Sequence, residues 1–330
     1  MKIGINGMGR IGRAALKVIN DTPGLEVVAV NDIVSIENTA YLLKYDTVYG
    51  IYDKEVSHEE GALIVDGKKI NYSSIRTPEE LPWGEHGVDL VIESTGVFTT
   101  GEDAERHLKA GAKTVIISAP TKSVDTPTVV HGVNSEAGET SVFSCASCTT
   151  NNISPVVEVL GRRIGIKKAI MTTVHAYTAS QGIVDAPSGK NFRMGRAGAQ
   201  NLIPTTTGAA IATTKALPEY AGKFDGVAIR VPVPVGSISD LTFVTERAVT
   251  AEEVNQILME EAQTDRYADV LDTTDEPIVS SDIIQSPYAS TVDLAMTRVV
   301  DGDLLKVMTW YDNEWGFTNQ MIRQILEIKG

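Results

Sequence analysis

The stretch Asn6-Gly7-Met8-Gly9-Arg10-Ile11-Gly12-Arg13 constrains the fold more than any other. It follows a short apolar run, residues 2–5, that reads as a buried strand. It opens a segment in which Ile11, Ala14, Ala15, Val18 and Ile19 recur at helical spacing. Strand, G-x-G-x-x-G and helix in that order form the context of a dinucleotide-binding turn. Gly7 serves the tight turn, Gly9 lets the backbone approach a pyrophosphate, and Gly12 lets helix and strand pack closely. The pyrophosphate would rest on the helix N-terminus. Residues 25–30 form a second strand ending at Asn31-Asp32, and Asp32 lies 20 residues after Gly12. A carboxylate there accepts from the adenosine ribose hydroxyls and repels a 2′-phosphate. No Arg or Lys occurs from Ile33 to Leu43 to attract one, so NAD is expected over NADP.

The same alternation continues. Residues 36–45 read as a helix, 63–72 as a hairpin turning at Asp66-Gly67, and 102–110 as a helix. Residues 88–92 and 114–117 read as buried parallel strands. The pattern is that of a doubly wound α/β fold. Ligands of such sheets sit beyond the carboxyl ends of the strands, so Gly7, Asp32, Thr95, Gly96 and Ser118 are expected to line one crevice. Arg76 lies in a loop able to reach the adenine side, although a surface charge is the commoner role of a lone Arg. His58, His86, His107 and His131 fall in polar or helical surroundings and read as surface residues.

A second feature organises the rest. Both cysteines of the chain lie in Ser144-Cys145-Ala146-Ser147-Cys148-Thr149-Thr150-Asn151-Asn152, just before an apolar helical run at residues 153–160. A thiol at a helix N-terminus sits in a positive potential that favours the thiolate. Thr149, Thr150 and Asn151 can cap the helix and leave N–H groups facing a ligand. Two cysteines in 330 residues make no disulfide framework, and a reducing cytoplasm is the expected home. A net charge of −14 argues against nucleic-acid binding. The opening residues read as a strand rather than a leader, and no run approaches the roughly 18 apolar residues of a membrane span. No metal site is expected.

Beyond Cys148 the character changes. Residues 168–178 read as a long strand carrying His175, and a lone strand histidine is more often structural than chemical. Residues 179–200 are polar and Gly-rich and carry Lys190, Arg193 and Arg196 in an otherwise acidic chain; loops this long are usually functional. Thr205-Thr206-Thr207-Gly208 precedes a helix of small residues, 209–216, and is a second possible anion site. Arg230 stands amid apolar residues in a strand at 227–233, where a charge wants an anion. Residues 241–245 and 304–310 read as strands, 251–264 as a helix, and the chain closes on a helix with Phe317, Met321, Ile322, Ile325 and Leu326 on one face.

In combination, N-G-M-G-R-I-G-R, S-C-T-T-N, H-A-Y-T, T-T-T-G-A-A, I-R-V-P-V-P and W-Y-D-N-E-W-G resemble, in order and spacing, the phosphorylating glyceraldehyde-3-phosphate dehydrogenases, over essentially the whole chain. The resemblance implies an α/β protein with a Rossmann-type dinucleotide-binding domain and an α+β catalytic domain with a mixed or antiparallel sheet. Residues 1–147 would form the NAD-binding domain, completed by the C-terminal helix 315–330, and residues 148–314 the catalytic domain, in a homotetramer. It implies Cys148 as the nucleophile and His175 as its base. Arg10, Ile11, Asp32, Arg76 and Ser118 would meet the cofactor, with Asn313 at the nicotinamide carboxamide. Ser147, Thr149, Thr178, Thr207, Gly208 and Arg230 would hold the phosphate of a phosphorylated aldehyde and the attacking inorganic phosphate. The implied reaction is oxidation of D-glyceraldehyde 3-phosphate to 1,3-bisphosphoglycerate through a thiohemiacetal and a thioester, in glycolysis or gluconeogenesis. A thiolate–imidazolium pair of Cys148 and His175 is expected to supply the nucleophile.

The departures from the family pattern are Cys145 where Asn is usual, Asn152 where Cys or another small residue is usual, Ser180, Met194 and Phe317. Cys145 and Cys148 spell C-x-x-C, which allows a redox pair, but Cys145 as a small buried apolar residue is the plainer reading. Alternatives to the main reading are an erythrose-4-phosphate dehydrogenase, which releases an acid instead of an acyl phosphate, and a non-catalytic NAD-binding scaffold.

Overall fold

A computed structural model describes residues 1–138, 140–189 and 191–328. The chain folds as two compact units: Met1–Val129 with Ser135–Ala146 and Met321–Gly330, and Val130–Asn134 with Ser147–Gln320.

The first unit holds β1 (Lys2–Asn6), α1 (Arg10–Asn20), β2 (Glu26–Asn31), α2 (Ile36–Lys44) and a small ribbon of β3 (Tyr45–Asp46) and β4 (Gly50–Ile51). There follow β5 (Val56–Glu59), β6 (Ala62–Val65), β7 (Lys68–Ser73), β8 (Leu90–Glu93), α3 (Gly101–Lys109), β9 (Thr114–Ile117) and β10 (Val142–Ser144). Its eight-stranded sheet runs in the order β10-β9-β8-β1-β2-β7-β6-β5. From β10 to β7 neighbouring strands are parallel, and β6 and β5 add an antiparallel edge. Chain order reverses between β1 and β8, which is where a doubly wound sheet opens a crevice. The strands are buried, with Ile3, Ile5, Val30, Val91, Ile92 and Ile116 closed to solvent, as apolar runs in a parallel sheet should be. Asp66 (φ 47°) and Gly67 (φ 74°) both sit in the left-handed region, the turn that a two-residue hairpin favours. Ser35 and Thr100 cap α2 and α3 by accepting the N–H of Asn38 and Asp103.

The expectation of a surface His107 is overturned: its side chain is fully buried. In α3 it lies three residues after the buried Ala104, on the inward stripe of a helix whose other residues are mostly charged. Composition around it concealed that stripe. Of the other histidines grouped with it, His58 is exposed, while His86 and His131 are half-buried.

The second unit holds α4 (Cys148–Ile164), β11 (Ile166–Ala176), β12 (Ile203–Thr206), α5 (Ala209–Ala216), β13 (Phe224–Val231), β14 (Ser237–Thr245) and α6 (Ala251–Ala262). It continues through β15 (Leu271–Thr274), β16 (Ser290–Val300) and β17 (Leu304–Tyr311), and the closing helix is α7 (Trp315–Glu327). The seven-stranded sheet runs β12-β13-β11-β14-β17-β16-β15 and is mixed. The strict alternation of buried and half-buried residues along β14 shows one covered face, and α4 packs against β14, β16 and β17. In β16 the polar Thr291, Asp293 and Thr297 alternate with Val292, Leu294 and Met296, but the polar residues are buried while Met296 is exposed, and the sequence reading passed over this strand. β11 ends at Ala176, so Tyr177 and Thr178 lie just past the strand.

Candidate active site

In the first unit the crevice at the carboxyl ends of the strands is a cleft of about 410 Å³, with Gly7, Gly9, Asp32, Ile33, Arg76 and Thr95 among its walls. The three glycines do different work. Gly7 has φ 95°, and a Cβ there would meet the backbone of Thr95 at 2.7 Å. A Cβ on Gly12 would stand 1.9 Å from the Gly7 carbonyl oxygen. A Cβ on Gly9 would meet nothing within 4 Å. The protein itself therefore does not require glycine at position 9; the space before α1 suits a ligand that approaches the backbone, as a pyrophosphate does. Asp32 accepts from the Met8 N–H at 2.6 Å and from the Val34 N–H at 3.0 Å, so its carboxylate also holds the glycine loop. Arg76 is exposed at the rim. Arg10 pairs with Asp46 and lies over the Tyr49 ring, and Ser118, just past β9, gives its N–H to the Glu93 carbonyl.

In the second unit Cys148 is the first residue of α4 and is half-buried. Ser147 caps that helix, accepting from the Thr150 N–H at 3.0 Å. Ala146, just before, has φ 60°, a conformation uncommon for a residue with a Cβ. The Cys148 Sγ lies 3.4 Å from His175 Nε2. β11 and β13 pair in parallel with His175 opposite Arg230, and this register sets the guanidinium beside the imidazole. Arg230 Nη1 lies 2.5 Å from His175 Nδ1 and donates to the Ala176 carbonyl at 3.0 Å. His175 Nδ1 is 2.7 Å from the same carbonyl. The carbonyl can only accept and the guanidinium can only donate, so Nδ1 meets both; the tautomer a base requires is the one that gives Nδ1–H to the carbonyl and leaves the Nε2 lone pair facing the thiol. Arg230 Nε is buried and has no hydrogen-bond partner among the described residues. A guanidinium so poorly satisfied is a site for an anion.

Burial works against the expected thiolate–imidazolium pair. Burial pushes the Cys148 thiol up, opposed by the Arg230 charge, by Thr149 and by the amides at the start of α4. Burial and then Arg230 pull His175 down to about 3. Both burial effects work against moving the proton from sulfur to Nε2, and the attraction between the two charges, 3.4 Å apart, works for it. Cys145 is buried and burial drives its thiol far up, the behaviour of a packing residue and not of a redox thiolate.

The remaining expected residues divide by what occupies them. The Thr149 hydroxyl is buried against the Tyr311 hydroxyl at 2.9 Å. Tyr311 also bonds Thr173 at 2.8 Å and sets its ring edge toward His175, with centroids 6.0 Å apart. Sequence reasoning assigned Tyr311 nothing, although it lies in the W-Y-D-N-E-W-G motif. The Thr178 hydroxyl pairs with Ser180 at 2.9 Å. Thr207 accepts the Ala209 N–H, and Gly208 precedes α5 with no side-chain cap and open space where a Cβ would be. Asn313 accepts from the Gly236 N–H and the Ser237 hydroxyl, which fixes Nδ2 as the outward end of its amide. Arg196 is committed to Asp185 at 2.9 Å, Arg193 is exposed, and Lys190 lies outside the described residues. Among the described residues no group of three or more His, Cys, Asp or Glu is arranged to hold a metal, and no helix is long and apolar enough to cross a membrane.

Residues 1–101 match the family described as "Glyceraldehyde 3-phosphate dehydrogenase, NAD binding domain", and residues 147–313 match "Glyceraldehyde 3-phosphate dehydrogenase, C-terminal domain". A glyceraldehyde-3-phosphate dehydrogenase of Streptomyces coelicolor is 49% identical over 326 residues, covering 98% of this chain and 96% of that one. Those of Geobacillus stearothermophilus and Zymomonas mobilis are 48% and 47% identical, again over 98% of this chain and 96% of theirs.

Proposed function

Because the chain belongs to the glyceraldehyde-3-phosphate dehydrogenase family, we propose that Cys148 is its nucleophile and His175 its base. The protein is an NAD-dependent, phosphorylating oxidoreductase that acts on the aldehyde group of glyceraldehyde 3-phosphate, a step of glycolysis. The observation that carries the residue assignment is the thiol at the first turn of α4 with Nε2 at 3.4 Å and Arg230 beside the ring.

Cys148 Sγ attacks the aldehyde carbon, and its proton passes through His175 Nε2 to the carbonyl oxygen, giving a thiohemiacetal. The Cys148 N–H, unpaired within the first turn of a helix, is the donor for the oxygen as it gains charge. NAD, when bound, supplies the acceptor for the hydride that leaves C1. As that hydride leaves, Nε2 takes the hydroxyl proton and a thioester remains on Sγ. Inorganic phosphate attacks the thioester carbon, Sγ leaves, and the proton held on Nε2 returns to it. The acyl phosphate departs with its bond energy conserved, because a thioester remains reactive toward an oxygen nucleophile.

Arg230, with Ser147, Thr149, Thr178, Thr207 and Gly208, holds the two phosphates. The buried Nε of Arg230, without a partner among the described residues, and the start of α5, where Gly208 has no side chain to cap the first turn, support this. Gly7, Gly9, Gly12, Arg10, Ile11, Asp32, Arg76 and Ser118 serve the dinucleotide, supported by the open space at Gly9, and Asn313 offers Nδ2 to the nicotinamide carboxamide. Assembly as a homotetramer is supported by exposed apolar side chains at Ile170, Ile183, Phe192, Leu202 and Val227. A cytoplasmic home is supported by two free cysteines. Sedimentation gives a tetramer mass under this reading, and a monomer defeats it.

The test of the chemistry is phosphate dependence. NADH formation from glyceraldehyde 3-phosphate requires phosphate or arsenate. Equal rates without either identify a hydrolytic relative acting through the same thioester.

A further inference from the structure

β8, β1, β2 and β7 are adjacent parallel strands, and at their carboxyl ends stand Glu93, Asn6, Asn31 and Ser73. These side chains are linked, and the linkage begins in the core. Trp83 Nε1 donates to His107 Nδ1 at 3.0 Å. Indole is a donor only, so His107 Nδ1 must accept and its proton sits on Nε2. Nε2–H then donates to Glu93 Oε2 at 3.0 Å. The same oxygen accepts Asn6 Nδ2 at 2.6 Å, and Oε1 accepts the Thr95 N–H at 2.8 Å together with the Thr95 hydroxyl. Asn6 Oδ1 accepts Asn31 Nδ2 at 2.8 Å. Asn31 Oδ1 accepts the Ile75 N–H at 2.9 Å and the Ser73 hydroxyl at 3.0 Å.

Trp83, His107 and Glu93 are closed to solvent. A buried carboxylate is costly unless fully bonded, and four donors converge on this one. Only a carboxylate suits the place. Glutamine would turn an NH₂ group either toward Asn6 Nδ2 and His107 Nε2–H or toward the Thr95 N–H. The Asn6–Glu93 bond spans the point where strand order reverses, and Asn6, Asn31, Ile75 and Thr95 form walls of the crevice, while Trp83, His107 and Glu93 do not.

We propose that Trp83, His107 and Glu93 are positioning residues for the dinucleotide, acting through Asn6, Thr95 and Asn31. The locked tautomer of His107 orients Glu93. Glu93 sets Asn6 and Thr95 across the mouth of the crevice, and Asn31 carries the constraint to Ile75, next to Arg76. A network without acceptor–acceptor or donor–donor conflict holds one arrangement, so the crevice is shaped before the cofactor arrives and binding spends little on ordering it. This inference rests on NAD occupying that crevice.

The test measures NADH affinity by fluorescence, the KM for NAD, and the alkylation rate of Cys148, in the full-length protein. Glu93→Gln raises the NADH Kd and the KM for NAD about tenfold, with alkylation unchanged. Trp83→Phe, which frees the His107 ring to turn, raises both about threefold. Val91→Ala removes buried methyl groups from the same strand. It serves as the control for lost stability alone, and its Kd stays within twofold. Glu93→Gln that leaves Kd unchanged, or shifts it no more than Val91→Ala does, overturns the proposal. Should Glu93→Gln not fold, Trp83→Phe decides: an unchanged Kd overturns it. Asp32→Gly separates the two readings. If it loosens NADH while Glu93→Gln does not, only the network is wrong; if neither does, the crevice assignment falls too.

Discussion

The glycine turn of the dinucleotide crevice is built of main chain, and the Cys148 centre is built of side chains. In the first unit Gly7 and Gly12 leave no room for a Cβ, and Asp32 is occupied by two backbone N–H groups. In the second unit Cys148, His175, Arg230 and Tyr311 come from a helix and three strands and meet because β11 and β13 pair in one register. A turn is written contiguously, since its φ angles belong to neighbouring residues, even where the close approach it serves, that of Gly7 to Thr95, is distant in sequence. A side-chain device can be scattered, since any strand may deliver any residue. Damage to the first should change which cofactor binds and how tightly. Damage to the second should change rate.

The largest effect breaks that comparison most cleanly. Cys148→Ser lowers kcat/KM for the aldehyde by about 10⁴-fold or more, since a hydroxyl is scarcely ionised near neutral pH. NADH Kd stays within about twofold by fluorescence titration; a large loss of affinity would mean that the two regions are not separately built. Asp32→Gly is the reciprocal change. The preference for NAD over NADP falls about 10- to 100-fold, as expected for one charged contact of roughly 1.4–2.8 kcal/mol. Steady-state kinetics with both cofactors measure this, and unchanged selectivity shows that Asp32 does not face the ribose.

Two smaller effects sharpen the electrostatics of the side-chain centre. With burial raising the Cys148 thiol, its alkylation by iodoacetamide in the ligand-free protein rises with pH to a midpoint no lower than the ordinary thiol value of about 8.5. A plateau well below pH 8 would establish the ion pair instead. The depressed histidine also predicts acid sensitivity. His175 in the folded chain titrates near 3, against 6.5 when unperturbed, so between those values the unfolded chain binds a proton that the folded chain does not. Its contribution is intact above pH 6.5 and is lost as pH falls toward 3. At pH 5 the loss is about 2 kcal/mol. In His175→Asn the midpoint of thermal unfolding should therefore fall less steeply between pH 6.5 and 5 than in the wild type. Parallel slopes would mean that His175 titrates alike in the folded and unfolded chains.

Legibility followed the same division. The turn at Gly7, the hairpin at Asp66-Gly67 and the capped helices were readable because each depends on residues a few positions apart. Thr149 was readable as polar and near the thiol, but not as a partner of Tyr311, which lies across the sheet. His107 was misread because its neighbours in sequence are charged, while its neighbours in space are Trp83 and Glu93. β16 was missed, and its buried face carries the polar Thr291, Asp293 and Thr297, which a reading that puts apolar residues inside does not look for.

Sequence alone determined the α/β class, the glycine turn, the carboxylate at Asp32 and the thiol at a helix start, since short-range sterics and periodicity dictate them. Tertiary structure alone decided the burial of that thiol and of His175, the use of Tyr311, and the linked carboxyl ends of four strands. Those depend on burial and on strand register, which no stretch of neighbouring residues encodes.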